Sequence, residues 1–340
     1  MAIDIAIDLG TSKTVIFGNS RIILEEPTII TADAETFEPV YFGREAKETL
    51  GRTPDTLTCI NPIERGSIAD YDSAFEMLSK YMHDAFGSKI IRPRVMACLP
   101  TGLTELQHRF MGKVIEESGG RNVTVIESPL AIALGVGVDF SQAEGVMVVD
   151  IGAGVTDIAS ISMGGIVQCD SAKVASADFD DAIIKFVRRT FNIEIGPLTA
   201  EHIKKQVGTV VQRPVEITMV AKGRNLRTGL PEAFEISSAQ IYETLFDTAV
   251  TICNYVRKVI ERTDPDIVSD IMNNGIHLTG GGSLINGMDQ FMSEFIGAKV
   301  IPTSDPSHSV IKGAAYALKH PSVLKDMNYQ VRSVKELIID

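Results

Sequence analysis

Asp8, Gly10 and Thr14 stand in the stretch "DIAIDLGTSKTV" (residues 4–15), and the same residue types return as Asp150, Gly152 and Thr156 in "VMVVDIGAGVTD" (residues 146–157), each 142 positions further on. In both copies an apolar run ends in an aspartate, an aliphatic residue, a glycine turn and a threonine. These types suggest a particular chemistry. Glycine lets the backbone approach a ligand closely, and successive N–H groups in a tight turn form a concave anion site. A hydroxyl on the turn adds a donor to a phosphate oxygen, and an aspartate ending a buried strand can hold a hydrated magnesium ion. One such turn means little, since hairpins use these residues routinely. Two at a single offset predict one unit occurring twice, its turns facing each other around a triphosphate. A third turn, in "GIHLTGGGSLI" (residues 275–285), places Gly280, Gly281, Gly282 and Ser283 after a buried strand, with a helix expected from about Leu284. Its glycines admit a flat base or sugar, and a helix N-terminus favours an anion.

The elements that must carry these turns follow from hydrophobic periodicity. In the first half "DIAIDL", "KTVIFG" and "RIILEE" read as hairpin-linked strands, with "PTIITAD" as a further extended run. A helix is predicted over "YDSAFEMLSKYMHDAFG", with Phe75, Leu78, Met82 and Phe86 on one stripe and Gly87 as its stop. The strand "RPRVMACLP" follows, then a helix from Glu105 capped by Thr104 and Gln107 and stopped by Gly119 and Gly120. The strand "NVTVIES" and a helix over "PLAIALGVG" complete the half. The second half repeats the order: three strands, then a helix near 178–191. A polar insertion, 192–236, contains a helix over "TAEHIKKQVG", and a long amphipathic helix runs from Ser238 to Arg262 bearing Ile241, Leu245, Ala249, Ile252 and Val256. No linker composition separates the halves, which predicts two closely packed units with a cleft between them.

Composition narrows the function. The 340 residues are 44% hydrophobic and 22% charged, enough for two ordinary globular cores. The 44 acidic and 32 basic residues leave a net charge of -12, which argues against general binding to nucleic acid. A polyphosphate remains compatible with that charge, because magnesium and backbone N–H groups supply local positive potential. Cys59, Cys98, Cys169 and Cys253 are widely separated and read as packed, reduced thiols, and the six histidines form no zinc pattern. The opening residues alternate as a strand with no basic leader, so no secretory signal is expected. No apolar run approaches the roughly 20 residues of a membrane span.

"DLGTSKT", "DIGAGVTD" and "LTGGGSLI" are similar to the phosphate-one, phosphate-two and adenosine motifs of the superfamily of actins, sugar kinases and seventy-kilodalton heat-shock chaperones. More narrowly, "LGRTPD" (50–55), "NPIERGSIADY" (61–71), "VVDIGAGVTDIASIS" (148–162) and "KGRNLRTGLP" (222–231) resemble the MreB-type bacterial actins. The resemblance implies an α/β fold with two ribonuclease-H-like domains flanking a nucleotide cleft. Domain I would comprise 1–140 plus 306–340 with an insertion at 33–70, and domain II 141–305 with an insertion at 180–238. It implies ATP or ADP with Mg2+, and self-assembly into filaments that are paired and antiparallel. It also implies paralogous filament proteins as further partners, and a cytoplasmic location against the inner face of the membrane. Carried over by motif, Asp8 and Asp150 hold magnesium through water, while Gly10, Thr11, Ser12 and Lys13 face the phosphates. Gly152, Ala153, Gly154, Val155 and Thr156 form the opposite jaw, with Thr156 also at a catalytic position. Glu201, Lys204 and Lys205 reach the adenosine, and their spacing puts all three on one helical face. Gly280, Gly281, Gly282 and Ser283 take the base and sugar.

The departures from the family concern the chemistry. Where the family reads "IEEPMAAA" this chain reads "IESPLAIA" (126–133), so Ser128 replaces the glutamate that acts on the attacking water. Serine is no general base at neutral pH, and that role contributes about 10²- to 10⁴-fold, so hydrolysis is expected to be slow. Glu127 is adjacent, but neighbours on an extended segment point to opposite faces. The family's "GGGTTE" is "GAGVTD" here, which removes a hydroxyl at Val155. Its "GGD" is Ala175–Ala177 beside Lys173, and its "KDG" is Glu64, Arg65 and Gly66. The loop "GSKIIRPR" (87–94) sets Ile90 and Ile91 among Lys89, Arg92 and Arg94, and reads either as a peripheral membrane contact or as an ordinary entry to a strand. The tail 323–340 has helical spacing at Val331, Val334 and Leu337 and is either a second contact or packed on its own domain. A small-molecule kinase and a non-polymerising regulator of another filament are the competing functions. The filament role itself divides between guiding wall synthesis and, as in wall-less helical bacteria, motility.

Overall fold

The first sequence repeat folds as three antiparallel strands, β1 (Asp4–Leu9), β2 (Lys13–Gly18) and β3 (Arg21–Pro27). The computed structural model describes residues 3–87, 92–140, 144–326 and 332–333. A small sheet of β4 (Ile30–Asp33), β5 (Pro39–Phe42) and β6 (Leu57–Ile60) comes next, with α1 (Gly43–Thr49) between its last two strands. A short hairpin, β7 (Ile63–Glu64) and β8 (Ser67–Ile68), leads into α2 (Tyr71–Phe86). The Asp70 carboxylate caps α2 through the Ser73 N–H, and Gly87, at φ 67°, ends it. The buried face of α2 is Ala74, Met77, Leu78, Tyr81 and Met82; Phe75 and Phe86 of the expected stripe are only half-buried. Then follow β9 (Arg94–Leu99), α3 (Glu105–Glu117), β10 (Arg121–Glu127) and α4 (Ser128–Gly135), with α3 closed by the reciprocal Thr104–Gln107 cap.

The second repeat gives β11 (Val146–Ile151), β12 (Thr156–Ser162), β13 (Gly165–Ala172) and α5 (Ser176–Phe191). The insertion contributes β14 (Ile193–Glu194), α6 (Pro197–Val207), β15 (Thr218–Asn225) and β16 (Pro231–Ser237). The chain continues through α7 (Ser238–Arg262), α8 (Pro265–Asn274), β17 (Ile276–Thr279), α9 (Met288–Ile296), β18 (Val300–Pro302), α10 (Ser309–Lys319), α11 (Pro321–Asp326) and β19 (Arg332–Ser333).

The sheet orders are β19-β10-β9-β1-β2-β3 and β13-β12-β11-β17-β18. In each, two hairpins are followed by two parallel strands: β1 runs parallel to β9 and β9 to β10, as β11 does to β17 and β17 to β18. Apart from the edge strand β19 the topologies coincide, so the repeated turn marks a repeated α/β domain.

Each sheet has its own core. Ile241, Leu245, Ala249, Ile252 and Val256 of α7 are fully buried against the second sheet, and α2 and α3 cover the first. A third apolar cluster joins the halves, built from Ala6 and Val15, from Leu130 and Ala131 of α4, from Val148 and Ala159, and from Ile311 and Ala314 of α10. The α4–α10 crossing is so close that a Cβ on Gly313 would lie 1.5 Å from the Ala131 carbonyl oxygen.

One expected element begins elsewhere. No helix starts at Leu284: Gly281–Leu284 is a single 3-10 turn, and α9 begins at Met288. The chain between them is held extended because the Asn286 carbonyl accepts the Val210 N–H at 3.0 Å and the Asn286 side chain accepts the Thr209 hydroxyl at 3.0 Å.

Candidate functional site

The two repeated turns close in the same way. Gly10 N–H donates to the Lys13 carbonyl at 3.1 Å, and Gly152 N–H to the Val155 carbonyl at 2.9 Å. The first glycine of each turn therefore spends its N–H on the turn itself. The N–H groups that follow, of Thr11 and Ser12 in one copy and Ala153 and Gly154 in the other, bond to no protein acceptor among the described residues. The turns face each other across a cavity of about 720 Å³ and touch at one point. A Cβ on Gly154 would lie 2.6 Å from the Thr11 hydroxyl oxygen, so only glycine lets the jaws meet there. The second turn is fixed from behind by the start of α5, where Ser176 N–H donates to the Gly152 carbonyl at 3.0 Å and Ala177 N–H to the Ala153 carbonyl at 2.9 Å.

Three aspartates face the same cavity: Asp8, Asp150 and Asp157. Burial pushes the Asp8 carboxyl up to about 6, although Lys13 and His308 oppose it. Burial and the neighbouring charges of Asp157 and Asp8 push Asp150 well above the carboxylate range. Burial takes Asp157 to about 6 against hydrogen bonds from Ser171 and Thr101. Such a set of hard oxygen donors, each destabilised as an anion, fits a magnesium ion. Among the described residues no group of three or more His, Cys, Asp or Glu converges closely enough to hold a metal directly, so an ion here would keep water ligands.

At the other end, Glu201, Lys204 and Lys205 of α6 line the cavity together with Gly208, Arg213 and the turn at Gly280, Gly281 and Gly282. Gly280 adopts φ 86°, and a Cβ there would lie 2.3 Å from Asp150 Oδ1, which ties this turn to the carboxylates. Lys204 is anchored to Asp180 at 2.6 Å and to the Ser176 carbonyl and hydroxyl. Burial would raise the Glu201 carboxyl, but Lys205 at 2.7 Å and Lys47 at 3.1 Å outweigh it and hold it at about 2. Lys13 Nζ, on the first turn, is 2.5 Å from Glu25.

Of the residues the sequence assigns to nucleotide, Gly10 to Lys13, Gly152 to Val155, Glu201, Lys204, Lys205 and Gly280 to Gly282 line this one cavity, as do Asp8, Asp150 and Ser128. Thr156 and Ser283 do not. The Thr156 hydroxyl is fully buried and donates to the Val174 carbonyl at 2.7 Å, and the Ser283 hydroxyl donates to the Gly280 carbonyl at 2.7 Å. The same holds for the threonine of the first copy, since Thr14 is fully buried and bonds to Thr28 at 2.9 Å. The repeated threonine thus ties each turn to its neighbouring chain, and the hydroxyl-bearing residues of the first turn that line the cavity are Thr11 and Ser12. Ile90 and Ile91 lie outside the described residues.

Residues 2–326 match the MreB/Mbl protein family. The chain belongs to the MreB/Mbl family. The cell shape-determining protein Mbl of Bacillus cereus (strain ATCC 10987 / NRS 248) is 36% identical over 319 residues, covering 93% of this chain and 96% of that protein. The cell shape-determining protein MreB of Escherichia coli (strain K12) is 36% identical over 323 residues, 93% of each chain. The crystal structure of MreB5 of Spiroplasma citri bound to ADP shares the fold at a TM-score of 0.90 and 32% identity, covering 96% of this chain and 99% of that one.

In this MreB/Mbl chain Ser128 and Val155, two of the departures read from the sequence, line the cavity. Ser128 opens α4 and is 6% exposed at the cavity wall. Glu127 does not line the cavity; its charge is felt by Cys169, whose thiol is raised first by burial and then by Glu127. Val155 packs beneath the β7–β8 turn, within 3.2 Å of where a Gly66 Cβ would stand. Two charged cavity residues escaped the sequence reading. Asp157 had a usable signal: it pairs directly with Asp150 across the β11–β12 hairpin, and directly opposed residues share a face. Arg213, whose Nη2 donates to the Gly208 carbonyl at 3.2 Å, comes from an irregular stretch of the insertion and had none.

Proposed function

We propose that this MreB/Mbl protein is an actin-like cytoskeletal protein that takes up ATP or ADP with Mg2+ in the cleft and assembles with itself into filaments, hydrolysing ATP slowly. One observation carries the reading: two matched turns line one cavity with N–H groups that no protein acceptor engages among the described residues, and three aspartates line the same cavity. The N–H groups of Thr11, Ser12, Ala153 and Gly154 would bind phosphate oxygens, with Lys13 adding charge from the first jaw. Asp8 and Asp150 would orient the waters of a magnesium ion, which supplies positive charge to offset the phosphates. Ser128, at the family's base position, takes no proton from an attacking water at neutral pH. The MreB5 structures, one with ADP and one with AMPPNP, support the nucleotide assignment. The names of the Mbl and MreB relatives support a role in cell shape. Paired antiparallel strands, motility, paralogous partners and a cytoplasmic position against the membrane belong to the same proposal, as do domains at 1–140 plus 306–340 and 141–305. Among the described residues no helix is long and apolar enough to cross a membrane.

The test is titration calorimetry with ATP and ADP in magnesium, followed by electron microscopy of the same samples. Saturable binding with filaments in ATP is the expected result. No heat of binding from either nucleotide would remove the proposal, and binding without filaments would confine it to a nucleotide-binding protein.

A further inference from the structure

One of the departures noted in the sequence, Arg65, meets the second half of the chain across the cleft. Arg65, in the β7–β8 turn of the first half, reaches both carboxylate oxygens of Asp178 in the second half, at 2.7 and 3.1 Å, and the Lys173 carbonyl at 3.0 Å. Asp178 also accepts the Ala175 N–H at 2.7 Å, at the start of the helix whose next N–H groups fix the second phosphate turn. On its other side, Arg65 is followed by Gly66, whose N–H donates to the Thr11 hydroxyl oxygen at 3.1 Å. Thr11 in turn rests on Gly154 of the opposite jaw. A continuous path thus runs from α5 through Asp178, Arg65 and Gly66 to Thr11, and back to the second turn.

The chemistry of the hydroxyl gives this path a function. A threonine hydroxyl has one proton and two lone pairs. With the Gly66 N–H occupying one lone pair, the proton is left to turn towards the cavity and its phosphate acceptors. The Gly66 N–H stays there only if its turn is held, and a planar guanidinium engaged by both oxygens of a carboxylate fixes position better than a point charge would. We propose that Arg65 is a positioning residue for the nucleotide phosphates, acting through Gly66 on Thr11 by fastening the first-half turn to α5. The inference rests on the nucleotide reading above.

The test compares binding of ATP and of adenosine, in magnesium, by the full chain carrying Arg65→Ala, Arg65→Lys or Thr11→Val. Arg65→Ala should weaken ATP about tenfold, the loss of one hydrogen bond to a charged group, while leaving adenosine within about twofold. Arg65→Lys, with a point charge in place of the planar fork, should fall between Arg65→Ala and the unaltered chain. In the double variant Arg65→Ala/Thr11→Val the losses should be less than additive, because both remove the same contact. Equal losses for ATP and adenosine would mean that Arg65 only supports the fold, and would overturn the proposal. So would an unchanged ATP affinity in Arg65→Ala and Arg65→Lys, or strictly additive losses. If the unaltered chain takes up no ATP, the nucleotide reading itself fails first, which distinguishes the two failures.

Discussion

Asp157→Asn separates the electrostatics of the cavity from the rest of the protein. Asp157 is 3% exposed, and burial moves its carboxyl from the ordinary 3.8 to about 6. A displacement of about two units corresponds to about 3 kcal/mol. The folded chain holds this proton more tightly than the unfolded chain does. The contribution of Asp157 to stability is therefore fully present below pH 3.8 and is lost as the pH rises through 6. Glu201, Glu25 and Asp305, held below their ordinary values by cationic partners, work in the opposite sense at acid pH, so the total stability curve conceals the effect. The difference between the unaltered chain and Asp157→Asn reveals it, because asparagine keeps an oxygen for Thr101 and has no proton to lose. Urea unfolding without magnesium should show the stability of the unaltered chain, relative to the variant, falling by about 3 kcal/mol between pH 4 and pH 7. Relief of Asp8 and Asp150, both raised in part by Asp157, adds in the same direction. Magnesium with nucleotide should shrink the difference at pH 7. A difference that stays constant across this range, or grows in favour of the unaltered chain, refutes the argument that these carboxylates await a cation.

Ser128→Glu places a carboxylate at the first position of α4, where the helix N-terminus favours an anion, and should raise phosphate release by about 10²- to 10⁴-fold; an unchanged steady-state rate would show that water activation is not what limits this protein. Gly313→Ala drives a methyl group to within 1.5 Å of the Ala131 carbonyl oxygen, where backbone cannot give way cheaply. It should lower the stability measured by urea unfolding by at least about 1–3 kcal/mol, and a variant as stable as the parent would show that the α4–α10 crossing tolerates separation.

The fold was legible wherever local pattern and tertiary demand agreed. The α7 helix falls at Ser238–Arg262 as its periodicity requires, because an apolar face about five turns long, from Ile241 to Val259, leaves no competing register. The turn at Gly280–Gly282 was legible as a close approach, and the helix after it was not: Asn286 is held by Thr209 and Val210, contacts some 77 residues distant that no local pattern encodes. The same distinction governs the site. Glycines announce proximity whatever surrounds them, so the two repeated turns could be read directly as lining one cavity. Which way a threonine points depends on strand register, and Thr14 and Thr156 both turn inward to neighbouring chain. Asp157 lay within the quoted motif, yet its role appears only once it is set opposite Asp150. The Arg65–Asp178 pair joins elements of different halves, and nothing in either segment points to the other.

The duplication supplies the frame, and the two copies then divide the chemistry. The position that is Lys13 in the first copy is Val155 in the second, while the position that is Val15 in the first is Asp157 in the second. The first jaw therefore brings a cation and an apolar neighbour, and the second brings an apolar neighbour and an additional carboxylate. Under the proposed function Lys13 would meet phosphate oxygens and Asp157 would add to the negative field for a metal ion, and the two would be useful only with the jaws closed on one ligand. Thr11 meets Gly154 in that closed arrangement, and the reverse contact is not repeated, since the residues at the exchanged positions are Ala153 and Ser12. An asymmetric ligand carrying both phosphate and metal matches this asymmetric pair of jaws, whereas a simple anion would leave the three carboxylates of Asp8, Asp150 and Asp157 facing like charge.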